Sequence, residues 1–377
     1  MVKIIFLGPT PPPFMGPSIA TEIILQSELK NKFNLIHLDT SDRRDLNYLG
    51  SIDFRNIFLA LKQYSMLLGK IVRYWPDIVY IPLSQTTIGY LRDAGFILIA
   101  KIFRRKVICH LRGGNFRNWY HATASPLRWF VRIVHSFVDG QVVLGECLKP
   151  LFKNIVPSHK IYVIPNAANY NLPAAESKDK FGILFLANFI RSKGILDVLY
   201  AVPMVLSKHP EVEFVFAGNW RDAEVQKQFE QFAIQNPDMP VSVAGPQNKE
   251  QKLTLLKSAK LFVFPTYYPA EGHPWVLVEA LAAGLPIIST DHAAIKETVL
   301  NNRNGYLVEP RNSTQIANKI NYLIEHPKIR EEMASVSRKH YEKNFTEEHL
   351  VKNFTYCFNS VLGRNKDETT PAKQQIR

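Results

Sequence analysis

The sequence predicts an α/β protein built from two doubly wound parallel-sheet domains that face a central cleft. Three observations lead there. The chain has 377 residues, more than one hydrophobic core usually supports. Its composition is globular, 46% hydrophobic and 21% charged, without repeats or low-complexity tracts before its polar end. Short β-branched runs alternate with amphipathic helical patterns in two separate series, as in parallel sheets covered by helices.

In the first series, strands are expected at KIIFLG (3–8), FNLIHL (33–38), DIVYIPL (77–83), KVICHL (106–111), GQVVLG (140–145) and KIYVIP (160–165). In the second they are expected at FGILFLANF (181–189), VEFVFAG (212–218), VSVAG (241–245), KLFVFP (260–265), LPIIST (285–290) and GYLVEP (305–310). Helices fill the intervals. Between the series, NAANYNLPAAESKDK (166–180) is polar and carries a proline, which marks a linker. The domains are therefore 1–172 and 173–345. Three helical patterns close the chain at 313–325, 328–343 and 346–362, and the polar residues 364–377 read as a disordered tail.

Several classes are set aside by composition. Cys109, Cys147 and Cys357 are odd in number and form no CxxC pair, so neither a disulfide framework nor a zinc site is suggested, and a reducing cytoplasm fits. The N-terminal apolar run is too short for a signal peptide, and the next long apolar segment carries Arg92, Asp93 and Lys101. Charge is uneven. Residues 1–170 hold 21 Lys and Arg against 10 Asp and Glu. That half either meets an anionic partner or presents a solvated basic surface. No recognition motif supports nucleic acid.

The segment YPAEGHPWVLVEALAAGLPIIST (268–290) follows a strand, where ligands of open α/β sheets bind. Pro274 suits a first helical position and Gly284 the residue past the end, so a helix is expected over about 274–283. Its N-terminus opens at Glu271-Gly272-His273, and free N–H groups with the positive end of the helix dipole there would seat a phosphate. Glu279 lies inside the helix among apolar residues, where a carboxylate needs a partner. Eight residues of helix separate Glu271 and Glu279 by roughly 12 Å, too far for a glycosidase acid–base pair. They could instead grip two parts of a long ligand, a sugar at Glu271 and a ribose at Glu279. That describes a nucleotide-diphosphate sugar. Alternatively, Glu279 only pairs with a neighbouring lysine.

A second strand, FGILFLANF, runs into Ile190-Arg191-Ser192-Lys193-Gly194. Arg191 and Lys193 there could neutralise a departing diphosphate without a metal, although exposed basic residues in loops are commonly just solvated. The loop PTPPPFMGPS after the first strand, with Ser18 as a candidate N-cap, lacks the GxGxxG spacing of a nicotinamide site. His110 closes KVICHL at a strand end. It is either structural or part of the site.

Together these residues resemble the family-four retaining glycosyltransferases of GT-B fold, over nearly the whole chain. The specific part is Glu271 to Glu279, a glutamate, seven residues and a second glutamate, followed by ALAAGLP. NFIRSKG, FAGN, VSVAGPQ, DHAAIKETV, NRNGYLV and VIPNAANY match further family features in order. Two departures stand out: Ala187-Asn188 replaces the usual Gly-Arg pair, with Arg191 displaced toward the lysine, and Gly16-Pro17 replaces Gly-Gly in the first loop.

The resemblance implies two Rossmann-like domains and a closing helix, 346–363, that returns to the first. It implies Glu271 at the donor sugar, Glu279 at the ribose, and Arg191 and Lys193 at the diphosphate. It also places Gly16 in a loop over the donor phosphates and His110 near the reacting sugar, with Gly272, His273 and Pro274 seating the donor. The implied reaction is hexosyl transfer with retention by front-face attack, without a protein nucleophile. No Asp-x-Asp occurs, so no metal and no cofactor beyond the donor substrate are expected. The acceptor is expected to be a glycan or a polyprenyl- or other lipid-linked molecule in cell-surface polysaccharide or glycolipid synthesis, met at the inner face of the cytoplasmic membrane. Arg104-Arg105-Lys106 and Arg128 beside Trp129 and Phe130 suit its anionic headgroups. The stretch FRNWYHATASPLRWFVR (116–132) suggests acceptor or membrane contact. A nucleotide-sugar epimerase or hydrolase and a non-catalytic sugar-binding protein remain as rivals.

Overall fold

The computed structural model describes residues 1–12, 14–41, 54–170, 172 and 181–364. Most of the expected linker and tail, together with Pro13 of the first loop, therefore lies outside the described residues. The chain divides into two compact units, one of residues 1–168 with the helix from Glu347, the other of residues 169–346.

The first unit runs β1 (Lys3–Gly8), α1 (Gly16–Gln26), α2 (Leu29–Lys32), β2 (Asn34–Asp39), α3 (Phe54–Tyr74), β3 (Ile78–Leu83), α4 (Thr87–Ile102), β4 (Lys106–Leu111), α5 (Phe116–Ala122), α6 (Ser125–Ser136), β5 (Gly140–Val143) and β6 (Ile161–Val163). Its sheet is parallel, in the order β2-β1-β3-β4-β5-β6. Ile4, Ile5, Phe6 and Leu7 of β1 and Ile78, Val79 and Ile81 of β3 are fully buried, because helices cover both faces of a parallel sheet.

The second unit runs β7 (Gly182–Leu186), α7 (Ile195–Leu206), β8 (Glu213–Ala217), α8 (Ala223–Gln235), β9 (Val241–Gly245), α9 (Lys249–Ser258), β10 (Leu261–Phe264), α10 (Trp275–Ala282), β11 (Ile287–Thr290), α11 (Ile295–Thr298), β12 (Gly305–Val308), α12 (Ser313–Glu325) and α13 (Pro327–Asn344). Its order is β12-β11-β10-β7-β8-β9, again parallel. The direction of winding reverses between β7 and β10. Such a switch point leaves the loops after those two strands side by side, which is where open α/β sheets take ligands.

The closing helix α14 (Glu347–Val361) packs on the first unit: Phe358 meets Phe33 edge-on at 5.2 Å, Phe354 lies 6.1 Å from Tyr80, and the Glu347 carboxylate accepts the Glu28 N–H at 3.0 Å. The division falls at Ala168–Asn169 rather than at 172. The Tyr170 N–H already donates to the Tyr341 hydroxyl of the second unit, at 2.9 Å.

Two local expectations are corrected. Ser18 is not an N-cap: α1 begins at Gly16, and the Ser18 hydroxyl, one turn in, accepts the Met15 N–H at 3.0 Å. Pro274 is not the first helical residue, because its backbone is extended, with ψ of 127°, and α10 starts at Trp275.

Candidate functional site

The loop after β7 turns through a short 3₁₀ segment, Arg191–Lys193, and enters α7 through Gly194 at φ +82°. Only glycine takes that conformation easily. A Cβ here would also stand 2.6 Å from the Pro265 carbonyl oxygen, in the loop after β10. Close packing of the two loops is completed by the Tyr267 N–H, which donates to the Ser192 carbonyl at 2.8 Å.

This contact brings Lys193 to Glu271. The Lys193 ammonium donates to Glu271 Oε2 in an ion pair that is largely buried on both sides. The same ammonium lies over the rings of Tyr268 (4.7 Å) and Phe264 (5.5 Å). The Thr266 hydroxyl stands 3.4 Å from Glu271 Oε2 and 3.3 Å from the Ser192 carbonyl. Each charge thus has its counter-charge within the loops. Arg191 is exposed and does not join the pair. Its charge, with that of Arg311, acts on Asp197, whose carboxyl is nevertheless raised by burial.

Glu271, Gly272, His273 and Pro274 are all buried and lead directly into α10. No side chain caps that helix. His273 is fixed by Thr298 Oγ1, 2.8 Å from its Nε2, and by the Phe345 ring at 5.3 Å. Burial, and then His340, push its pKa down to about 3, so it is a neutral wall of the site. The Gly272 carbonyl accepts the Ala294 N–H at 2.9 Å.

Glu279 is buried within α10. Its Oε1 accepts from the Lys252 ammonium of α9 and faces the Tyr170 hydroxyl at 3.5 Å. Burial, with Glu279 beside it, holds the Tyr170 hydroxyl protonated well beyond its usual range. Glu279 Oε2 has no hydrogen-bond partner among the described residues. A buried carboxylate oxygen without a donor is costly, so this atom has room for one more hydrogen-bond donor. Lys252, Tyr170 and Thr266 escaped the sequence reading. Only Tyr170 carried a signal, as the last residue of the NAANY turn.

Gly16 and His110 belong to the first unit. Gly16 begins α1 after the β1 loop. His110 is buried on β4, with its Nδ1 2.5 Å from the Tyr80 hydroxyl, which in turn accepts from Arg112 Nη2 at 3.2 Å. Because Arg112 can only donate, the Tyr80 proton points to Nδ1 and the histidine proton sits on Nε2. That nitrogen has no partner among the described residues. Burial first and Arg112 second hold the His110 pKa well below the usual histidine value. Among the described residues no three His, Cys, Asp or Glu side chains gather as a metal cage.

Residues 172–340 match the family model described as glycosyl transferases group 1. The matched residues fall within the second unit, which holds Lys193, Glu271 and Glu279. Among curated proteins, the chain is 26% identical over 185 residues to a capsular polysaccharide biosynthesis glycosyltransferase, CapM, of Staphylococcus aureus, covering 49% of this chain and 47% of that one. The chain spans about half the length of the curated relatives it matches. Among solved structures, Anabaena HepE in complex with UDP and glucose superposes with a TM-score of 0.71 at 16% identity, over 96% of this chain and all of that one. Sucrose-phosphate synthase from Thermosynechococcus elongatus gives 0.73 at 15% identity, over 96% and 100%. The fold is that of the GT-B glycosyltransferases.

Proposed function

We propose that the protein is a retaining glycosyltransferase that moves a hexosyl group from a nucleotide-diphosphate sugar to a hydroxyl of a glycan or lipid-linked acceptor. One observation carries the reading: the switch point joins Lys193 and Glu271 beside the uncapped start of α10, while Glu279 keeps a buried oxygen without a donor. The second unit holds the donor. The diphosphate meets the first turn of α10 and the Lys193 ammonium, with Arg191 as the outer cation. Glu271 contacts the sugar, and ribose hydroxyls donate to Glu279 Oε2. Within the first unit, His110 is neutral and carries its proton on Nε2, a donor suited to a substrate hydroxyl.

In the step itself the bond between the anomeric carbon and the diphosphate oxygen breaks. The acceptor oxygen bonds to that carbon on the same face, and its proton passes to the departing diphosphate. Lys193 is already a cation held in place, so charge that develops on the leaving group meets a preorganised partner. The reaction needs no metal. The name of the CapM relative and the UDP in the HepE complex favour polysaccharide synthesis and a UDP-sugar. A cytoplasmic location at an anionic membrane face suits the basic first half.

The test is a screen of UDP-, GDP- and ADP-sugars for thermal stabilisation, followed by transfer assays. At 100 times its dissociation constant a donor should add about 2.7 kcal/mol. Sugar release to water without any acceptor would favour the hydrolase, interconversion of donor sugars the epimerase, and binding without turnover the non-catalytic protein.

A further inference from the structure

The outer face of α3 is apolar where a helix packed on a sheet is ordinarily polar. Its inner side accounts for its packing: Gln63, Leu67 and Ile71 are buried. Tyr64 meets Phe96 of α4 edge-on at 5.0 Å and donates to the Arg92 carbonyl at 2.9 Å. Bordering that side, Ile57, Leu61, Leu68 and Val72 fall, at 100° per residue, within a stripe roughly 60° wide whose centre lies about 110° from that of the buried positions. Each is at least 44% exposed, and Phe58 at the stripe's edge is 71% exposed. The stripe continues past the helix into exposed Trp75, whose ring carries the Arg105 guanidinium at 4.3 Å.

Charge identifies what covers this face. Residues 54–76 contain Arg55, Lys62, Lys70 and Arg73 and no acidic residue. Lys62 and Arg73 are exposed and lie together on the solvent side of the stripe, roughly 80–100° round the helix from Val72, and Arg105 stacks on Trp75. A second copy would bring the same positive excess to the contact, which opposes self-association. No described helix is long and apolar enough to cross a membrane. An amphipathic helix with an apolar stripe and a basic polar side is instead the kind that lies in a bilayer interface.

We propose that the outer face of α3 is an in-plane anchor for an anionic lipid bilayer. Ile57, Phe58, Leu61, Leu68 and Val72 enter the boundary between headgroups and acyl chains, while the basic side chains extend to the phosphates. The proposal shares with the functional reading only the expectation of membrane contact, and it stands on α3 whether or not a nucleotide sugar binds the second unit.

The test is flotation of the full-length protein with phosphatidylcholine vesicles, with and without an equal share of phosphatidylglycerol, for wild type, Leu61→Glu/Val72→Glu and Lys62→Ala/Arg73→Ala. Wild type should float with the anionic vesicles and release in high salt. The apolar variant should lose at least about 100-fold in membrane partition constant, the scale of two buried aliphatic side chains. The basic variant should bind less and lose its salt dependence. Melting temperature and nucleotide-sugar binding should stay at wild-type values in both. Brominated lipid should quench less fluorescence in Trp75→Phe than in wild type. Wild type that does not float, or an apolar variant that floats unchanged, overturns the proposal. So does a lipid-free dimer that the apolar variant dissociates, or a fall in melting temperature with vesicle binding intact.

Discussion

Replacing Lys252 with methionine removes the counter-charge of Glu279 while keeping the length of the side chain. Glu279 is almost wholly buried, whereas a quarter of the Lys252 side chain reaches solvent. Breaking a fully buried pair costs about 3–5 kcal/mol. Here the Tyr170 hydroxyl remains 3.5 Å from Oε1, and water can enter from the lysine side. The expected loss is therefore about 2–3 kcal/mol, or ~5–10 °C in melting temperature for a unit of this size. The double variant Lys252→Met/Glu279→Gln removes both charges and should recover to within about 1 kcal/mol of wild type. Donor binding should respond differently. If Glu279 Oε2 accepts from the donor, Glu279→Gln should raise the donor KM about tenfold, and Lys252→Met should not restore it in the double variant. Differential scanning calorimetry and donor titration on all four proteins separate the two effects. Donor affinity that returns together with stability in the double variant would reduce Glu279 to a partner of Lys252 and refute its role at the ribose.

Glu271→Ala should lower kcat by on the order of 100-fold, the scale of one lost transition-state contact; an effect confined to KM would remove Glu271 from the reacting sugar. Turnover should survive EDTA, and a strict requirement for Mg²⁺ or Mn²⁺ would overturn the metal-free reading. Gly194→Ala places a Cβ at φ +82° and 2.6 Å from the Pro265 carbonyl, and should cost about 1–2 kcal/mol or more together with activity; wild-type melting would contradict the loop packing. His135 and His273 are held neutral, their pKa values pushed down to about 4 and about 3. Because the unfolded chain protonates them near pH 6.5 and the folded one does not, their contribution is fully present above about pH 6.5 and is lost as pH falls toward 4. Each should remove about 1.4 kcal/mol per pH unit in that window, and urea midpoints equal at pH 7 and pH 5.5 would refute this.

The strands were legible because both faces of a parallel sheet are covered, so each core strand reads as an unbroken apolar run with turn residues at its ends. KIIFLG and KVICHL coincide with β1 and β4 residue for residue, while the edge KIYVIP shortens to Ile161–Val163, since pairing ends before hydrophobicity does. The end of α10 was legible for a different reason: Gly284 sits at φ +68°, a conformation that the residue type itself advertises. Ser18 misled because a capping serine and a serine one turn inside share the same local pattern, and only the chain path from Met15 separates them.

The pairing of Lys193 with Glu271 lies at another level. No spacing rule joins residues 78 apart in sequence; what joins them is the order of strands, which sets β10 against β7. The loops could each be named from sequence, but their meeting is a property of the sheet. Lys252 was invisible for the same reason, with no pattern on α9 to distinguish it from the helix's other lysines, Lys249 and Lys257. The outer stripe of α3 completes the point from the opposite side. Periodicity shows that a helix is amphipathic without showing which face the sheet takes, so an apolar stripe reads as core until its exposure is known. Once the sheet takes Gln63, Leu67 and Ile71, the remaining apolar positions need a second environment, and the basic residues beside them restrict that environment to one carrying negative charge.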